Sequence, residues 1–180
     1  YGDFVVKPAI SSGGRGTGRY TSTDATSRMN AINDAMHHLD RGRTVMVQRY
    51  HQEVDQSGEI SLIYLNGLPS YMVKKEPMLH PRFQAGDTIN EEIAHSKQAT
   101  EDEWRWGERI RLVLHKYIKQ RSGRDDQLLF NRVDIVRGGP NDEEEFYVME
   151  ISLIDGSLYL SADEQNLEKF ADAIAVRAFW

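Results

Sequence analysis

Hydrophobic and polar positions follow two different periods along the chain, and each period predicts one kind of element. Apolar residues recur every three or four positions in 23–41, from Thr100 to about Arg121, and after Ser161, which predicts three helices. Strand-like runs lie around these helices at 4–7, 44–50, 59–65, 68–74, 128–137 and 146–154. Hairpin-connected strands mixed with three helices predict an α+β fold with antiparallel sheet.

The predicted helices have defined starts and core faces. Capping boxes are predicted at Thr100 with Glu103 and at Ser161 with Glu164. The expected core faces are Ala25, Met29, Ile32, Met36 and Leu39 in the first helix, Trp106, Ile110, Val113, Leu114 and Tyr117 in the second, and Leu167, Phe170, Ala171, Ile174 and Ala178 in the third. Trp104 and Trp106 are expected to face different ways, one toward the core and one toward an interface.

Two turn and loop signals complete the pattern. Asn66-Gly67 between two strands is a strong hairpin signal, because both positions of such a turn adopt positive φ. Residues 11–20 contain four glycines and are expected to form a loop. Residues 76–99 are irregular and polar. All six histidines are interpreted as structural, with His37 and His38 on the helix surface.

Composition narrows the class of protein. The 180 residues are 39% hydrophobic and 28% charged, which is a globular balance. The net charge of -6 argues against nucleic-acid binding over the whole surface, and the absence of cysteine excludes disulfides and thiolate sites. No run is long enough for a membrane span. We expect a cytoplasmic protein, and because the chain begins at Tyr1 inside a strand-like run, a piece of something longer.

Lys7 and the loop after it are the first candidate for chemistry. An ammonium group beside closely spaced glycines suits a polyphosphate, because glycines let backbone N–H groups approach oxygen atoms. A mobile surface loop beside a solvated lysine is the alternative. A P-loop does not fit, because Arg19-Tyr20 stands where Lys-Ser/Thr is required, and a protein kinase does not fit, because its glycine loop precedes the lysine.

Two acidic residues inside apolar strand runs are the second candidate. Asp134 lies two residues after Arg132, and Glu150 lies two residues before Ser152. A buried carboxylate costs roughly several kcal/mol unless it is paired or binds a cation. If the two strands form a hairpin, both carboxylates meet on one face and suit magnesium. The alternative is that Asp134 pairs with Arg132 while Glu150 faces solvent.

Taken in order, these motifs resemble the ATP-grasp superfamily, in particular ligases similar to glutathione synthetase and D-alanine–D-alanine ligase. The resemblance rests on five segments: Phe-Val-Val-Lys-Pro at 4–8 with Ser-Ser-Gly-Gly after it, Val-Met-Val-Gln-Arg-Tyr at 45–50, Gly-Glu-Ile-Ser-Leu at 58–62 with Val-Lys-Lys at 73–75, Arg-Val-Asp at 132–134, and Glu-Ile-Ser at 150–152. Their order and spacing agree over nearly the whole chain.

The resemblance implies a two-lobed fold and a set of site residues. The N-terminal lobe would span 1–75, the C-terminal lobe 76–180, and the substrate domain would be absent from the chain. The residues implied to bind ATP are Lys7, Ser12, Gly13, Gly14, Gln48, Arg49, Tyr50, Glu59 and Lys74. Glu59 would take the ribose hydroxyls and Gln48 to Tyr50 the adenine. Asp134, Glu150 and Ser152 would hold Mg2+, and Arg132 and Lys75 would be catalytic, with Lys75 or Lys74 reaching the phosphates.

The implied function is an ATP-dependent ligase that activates a carboxylate as an acyl phosphate for attack by an amine or thiol. ATP, Mg2+ and small carboxylate and amine substrates are the implied partners, and the aromatic surface of the second helix leaves room for a homodimer. Ser152 departs from the pattern, because the family usually has Asn or Glu there and a hydroxyl is a weaker magnesium ligand. The alternatives are a nucleotide-binding or structural module without catalysis and an unrelated α+β interaction domain.

Overall fold

The computed structural model describes residues 2–79 and 92–179. It contains eight strands and four α-helices in these ranges. The strands are β1 (Asp3–Pro8), β2 (Gly18–Thr21), β3 (Val45–Arg49), β4 (Glu59–Leu65), β5 (Leu68–Lys75), β6 (Ala94–Lys97), β7 (Phe130–Arg137) and β8 (Phe146–Ser152), and the helices are α1 (Ala25–Leu39), α2 (Glu53–Ser57), α3 (Glu101–Ser122) and α4 (Glu164–Ala178). The predicted α+β class with antiparallel sheets is confirmed.

The chain divides into two compact units. The first comprises residues 1–56 and 76–93 and the second comprises residues 57–75 and 94–180. In this division the β4–β5 hairpin belongs to the second unit, because β4 pairs with β7. The lobes implied by the resemblance, 1–75 and 76–180, stay a prediction.

The first unit is a three-stranded antiparallel sheet, in the order β2-β1-β3, covered by α1. Val6 and Tyr20 pack against Ala31 of the helix. The predicted apolar stripe of α1 is wrong as a core face, because Met29, Ile32, Met36 and Leu39 are all about half exposed. His38 was predicted at the surface and is instead buried, so a polar residue and small side chains form the helix–sheet contact.

The second unit is a five-stranded antiparallel sheet in the order β6-β5-β4-β7-β8. Asn66 and Gly67 have φ angles of 50° and 79°, which confirms the predicted hairpin. Ile60, Leu62, Tyr64, Val133 and Phe146 form the core on the α3 side, where both Trp104 and Trp106 pack. The expectation that one of these tryptophans faces away is therefore wrong, because their rings contact Tyr64 and Phe146 respectively.

The helix ends of the second unit test the capping predictions. Thr100 and Glu103 form the predicted capping box, and α3 ends at Gly123 with a φ of 71°. The second capping box is wrong: a short 3-10 turn, Leu160–Ala162, occupies its place, and the side chain of Asp163 accepts the capping hydrogen bond from Gln165. On α3 and α4 the predicted faces hold only in part, since Val113, Tyr117 and Leu167 are more than half exposed.

Three elements were not predicted from the sequence. Strand β2 lies where a loop was expected, and β6 and the short α2 lie in segments without a periodic pattern. The other prediction for 76–99, an irregular segment that includes His80, falls partly on residues 80–91, which lie outside the described residues. Over the described ranges, no helix is long and apolar enough to cross a membrane.

Candidate functional site

An ion-pair cluster around buried Asp134 lies in the second unit. It consists of Glu59, Lys75, Arg132, Asp134, Glu150 and Ser152 and is called the Asp134 cluster below. Asp134 on β7 is 0% exposed. Arg132, two residues earlier on the same strand face, binds it through Nε to Oδ1 at 2.8 Å and through Nη2 to Oδ2 at 2.9 Å. This fork satisfies both oxygens of a carboxylate that would otherwise be costly to bury.

Lys75, the last residue of β5, joins two carboxylates. Its Nζ lies 2.9 Å from Asp134 Oδ2 and also contacts the carboxylate of Glu59, its register partner on β4. Burial alone would lower the pKa of Lys75, but the charges of Asp134 and Glu59 outweigh burial and raise it. Lys75 is therefore held as a cation. Lys74 lies on the opposite face, because side chains alternate along a strand.

The pKa values of Glu59 and Asp134, the two carboxyl groups that contact Lys75, are shifted in opposite directions. Burial raises the pKa of Glu59 to about 7, although the charge of Lys75 acts against that rise. Burial would also raise the pKa of Asp134, but Lys75 and Arg132 together hold it below its ordinary value. Asp134 is therefore ionised under most conditions, whereas Glu59 changes charge near neutrality.

The predicted pair Asp134 and Glu150 meets on one face. Strands β7 and β8 form a hairpin in which Asp134 is the register partner of Glu150 and Arg132 is that of Ser152. Arg132 Nη2 lies 3.1 Å from Glu150 Oε1, and the Ser152 hydroxyl donates to the same oxygen. The sequence left two alternatives open, a shared carboxylate site or an Asp134–Arg132 pair with Glu150 facing solvent, and the structure combines them. Asp134 pairs with Arg132, and the Glu150 side chain is 57% exposed but also contacts Arg132.

Residues that the sequence did not single out complete the surroundings of Arg132. Its Nη1 donates to the carbonyl oxygen of Ser157 at 2.9 Å, and its guanidinium lies 5.4 Å from the ring centre of Tyr159. A side chain at Gly156 would overlap Ser152. Ser157 and Tyr159 lie in an irregular segment, so no periodic pattern in the sequence predicts their contacts with Arg132. Gly156 was the one signal in this segment that the backbone approaches another residue closely.

The donor set around Asp134 fits a magnesium site of few protein ligands. Asp134 and Glu150 offer carboxylate oxygens on paired positions, and magnesium commonly takes one or two carboxylates with substrate phosphates. Ser61, the register partner of Asp134 on β4, has a buried hydroxyl with no hydrogen-bond partner among the described residues, so it could contact a bound ligand. A group of three or more acidic or histidine ligands is absent from residues 2–79 and 92–179.

In the first unit, Lys7 lies on the sheet face opposite α1. Its neighbour Val6 packs against the helix side, and alternation turns Lys7 the other way. After β1, Gly13, Gly14 and Gly16 have φ angles of 61°, 66° and 69°, so the predicted loop has a backbone that favours glycine.

The segment 48–50, implied to bind adenine, ends strand β3 at one edge of this sheet. The backbone N–H of Tyr50 donates to the carbonyl of Asp3 at 3.0 Å, and its hydroxyl donates to Asp55 at 2.6 Å. Gln48 and Arg49 pair with Val5 and Phe4 of β1. Within the described ranges, β3 is an edge strand of this sheet.

Lys7, the glycine loop and Gln48 to Tyr50 belong to the first unit, and the Asp134 cluster belongs to the second. The convergence of Lys7, Asp134 and Glu150 on one triphosphate stays a prediction. The roles assigned to the individual site residues also remain predictions.

Comparison with known proteins identifies the fold of the chain. No family model matches the chain. It is 29% identical over 175 residues to the cycloserine biosynthesis protein DcsG of Streptomyces lavendulae, covering 97% of this chain and 55% of that protein. The crystal structure of the D-cycloserine synthetase DcsG matches with a TM-score of 0.75 and 26% identity, covering 97% of this chain and 55% of the other.

More distant structures agree. D-alanine–D-alanine ligase from Bacillus anthracis matches 98% of this chain and 56% of its own, with a TM-score of 0.58 and 16% identity. The ATP-grasp ligase PsnB matches 97% of this chain and 46% of its own, with a TM-score of 0.51 and 11% identity. The chain therefore has the ATP-grasp fold, as the sequence resemblance predicted. The chain is similar to DcsG in sequence as well as in fold, and it spans about half of the length of that protein.

Proposed function

We propose that the chain is the ATP-binding part of a ligase that joins a carboxylate to an amine, or to a thiol, with hydrolysis of ATP to ADP and phosphate. One observation carries the proposal: in an ATP-grasp domain, Asp134 and Glu150 are register partners, and Arg132 contacts both. The similarity to DcsG over nearly the whole chain supports the same class of reaction.

The reaction has two steps. A carboxylate oxygen of the first substrate attacks Pγ of ATP, the bond from Pγ to the β–γ bridging oxygen breaks, and ADP leaves with that electron pair. The amine nitrogen of the second substrate then attacks the acyl carbon and gives up a proton, and inorganic phosphate leaves. Both steps concentrate negative charge on oxygen atoms, so the protein contributes mainly position and charge neutralisation.

The residues of the chain divide this work. Lys7 neutralises phosphate charge, and Ser12, Gly13 and Gly14 offer polar and backbone groups to the same oxygens. Arg132 stabilises the oxyanion of the acyl intermediate, because Asp134 and Ser157 hold its guanidinium in a fixed orientation. Lys75, kept charged between Glu59 and Asp134, supplies a second cation at the same face.

The remaining assignments follow the resemblance. Gln48, Arg49 and Tyr50 bind adenine through the β3 edge, Glu59 contacts the ribose hydroxyls, and Lys75 or Lys74 reaches the phosphates. Asp134, Glu150 and Ser152 would hold magnesium, which, when bound, neutralises phosphate oxygens. Ser152 is the weakest of the three as a ligand, and its hydroxyl already donates to Glu150.

Release of ADP by the full-length protein tests the proposal. The protein is supplied with ATP, magnesium and a pool of amino acids, and Glu150→Gln is compared with Glu143→Gln, which changes an exposed acid outside the Asp134 cluster. We expect Glu150→Gln to lower the rate roughly a hundredfold or more and Glu143→Gln to leave it unchanged.

Two outcomes would contradict the proposal in different ways. ATP binding without ADP release in the unaltered protein, with every acceptor pool, would favour a nucleotide-binding module without catalysis. Equal rates in Glu150→Gln and the unaltered protein would remove Glu150 from the site.

A further inference from the structure

The first unit contains a second group of cations that the ligase assignment does not use. A cavity of about 440 Å³ is lined by Ile10, Ser11, Ser12, Arg15, Arg41 and Arg43 and is called the arginine pocket below. This volume lies within the range of small-molecule pockets. Lys7 does not line the cavity, and it lies on the sheet face opposite α1, whereas Arg41 and Arg43 follow the end of that helix.

The charge of the arginine pocket is not balanced by the protein. No carboxylate lines it. Within the described ranges, none of the three guanidinium groups forms an ion pair with a carboxylate, in contrast to Arg19 and Arg132, which are both paired. Three like charges facing one cavity repel one another, and an anion between them would remove that repulsion.

Buried His38 fixes the two segments that form this pocket. Its Nε2 lies 2.8 Å from the carbonyl oxygen of Gly16 and donates to it, so the side chain holds the end of the glycine loop. Its own carbonyl oxygen accepts from the backbone N–H groups of Arg41 and Arg43 at 3.1 and 3.0 Å. His38 is 2% exposed, so one residue inside the fold positions both walls.

The backbone of each segment is also ordered by local contacts. The Ser11 hydroxyl donates to the Arg15 carbonyl at 2.7 Å, and Thr17 N–H donates to the Gly14 carbonyl at 3.1 Å. Gly42, between the two arginines, has a φ of 70° and allows the turn after α1, and Arg41 Nη1 donates to the His37 carbonyl oxygen at 3.2 Å. The backbone that carries the three arginines is therefore ordered by local hydrogen bonds.

We infer that the arginine pocket binds a phosphoryl group through Arg15, Arg41 and Arg43, which the nucleotide site proposed above does not use. Guanidinium groups present flat pairs of donors that match the oxygens of a phosphoryl group. The phosphoryl group comes either from free phosphate or from a phosphorylated small molecule. The inference does not depend on the ligase activity.

Titration calorimetry of the full-length protein with inorganic phosphate, and separately with tripolyphosphate, at constant ionic strength tests this inference. The double variant Arg41→Ala/Arg43→Ala is compared with Arg28→Ala, which removes an exposed arginine of α1 outside the pocket. We expect phosphate affinity to fall at least about tenfold in the double variant and to stay unchanged in Arg28→Ala. Arg43→Lys, which keeps the charge and loses the paired donors, should fall between them.

Three results would overturn the inference. They are no binding of either probe by the unaltered protein, equal losses in Arg28→Ala and the double variant, and loss of phosphate binding in Lys7→Ala with retention in the double variant. The last result would place the anion in the nucleotide site instead. Thermal melting of each variant checks that the fold is retained.

Discussion

At the scale of single residues, the Asp134 cluster separates its carboxyl groups by pKa. Asp134 is held ionised by Lys75 and Arg132, whereas Glu59 has a pKa raised to about 7 because it is buried. Each group therefore links stability to a different range of pH. Asp134 stabilises the folded state above its unfolded pKa, and that contribution is lost as the pH falls through its lowered folded pKa.

Glu59 acts in the opposite direction and gives a testable pH dependence. Its folded pKa lies above the ordinary value of 4.5, so the folded state binds the extra proton and its contribution to stability is lost as the pH rises from about 4.5 to 7. We expect Glu59→Gln to gain stability relative to the unaltered protein across this window, by roughly 2–3 kcal/mol at most. Urea unfolding at several pH values measures the difference.

A matched variant controls for the loss of an acidic side chain. Glu168→Gln changes an exposed glutamate on α4 and should keep a constant difference from the unaltered protein over the same range. A difference for Glu59→Gln that stays flat between pH 4.5 and 7 would show that Glu59 has an ordinary pKa.

At the scale of elements, the helix starts show where local sequence is ambiguous. Ser161 with Glu164 has the spacing of a capping box, yet Asp163 caps α4 because the 3-10 turn consumes residues 160–162. We expect Asp163→Ala to lower the free energy of unfolding by about 1 kcal/mol and Ser161→Ala to change it little. Thermal or urea unfolding of the two variants decides between the caps, and a larger loss in Ser161→Ala would restore the capping box.

Strands and turns with strong local signals could be predicted from the sequence, and contacts that depend on the whole fold could not. Asn66-Gly67 and the Thr100 box are set by a few neighbouring residues. The burial of His38 depends on a carbonyl 22 residues away, so helical periodicity misassigned it to the surface and assigned the larger apolar residues of α1 to the core.

The sequence predicted many of the residues of the candidate site, but fewer of the contacts between them. The meeting of Asp134 and Glu150 follows from two acidic residues in a hairpin, and the structure has it. The choice between Lys74 and Lys75 required the face of β5, because only the residue on the Asp134 side joins the cluster. Ser157 and Tyr159 come from an irregular segment, where no period relates sequence to position.

At the scale of the whole molecule, the proposed binding of ATP depends on residues that belong to both units. Lys7→Ala in the first unit and Glu150→Ala in the second should each weaken binding of magnesium-ATP by about tenfold or more, because each removes a charged contact. Isothermal titration calorimetry of the full-length protein measures the affinities. Lys116→Ala, an exposed lysine of α3, is the control and should bind as the unaltered protein does. Unchanged affinity in both site variants would contradict the roles proposed for Lys7 and Glu150.

The irregularity between β7 and β8 has a consequence for aligning related chains. Ile135 pairs with Val148 and Asp134 pairs with Glu150, so Met149 is an extra residue, and strict alternation from buried Phe146 would otherwise turn Glu150 toward α3. A homologue with a one-residue gap at Met149 would present the same carboxylate on the same side of a regular strand. A gap between Glu150 and Ser152 would instead turn one of them away, so gap placement in this strand carries chemical meaning.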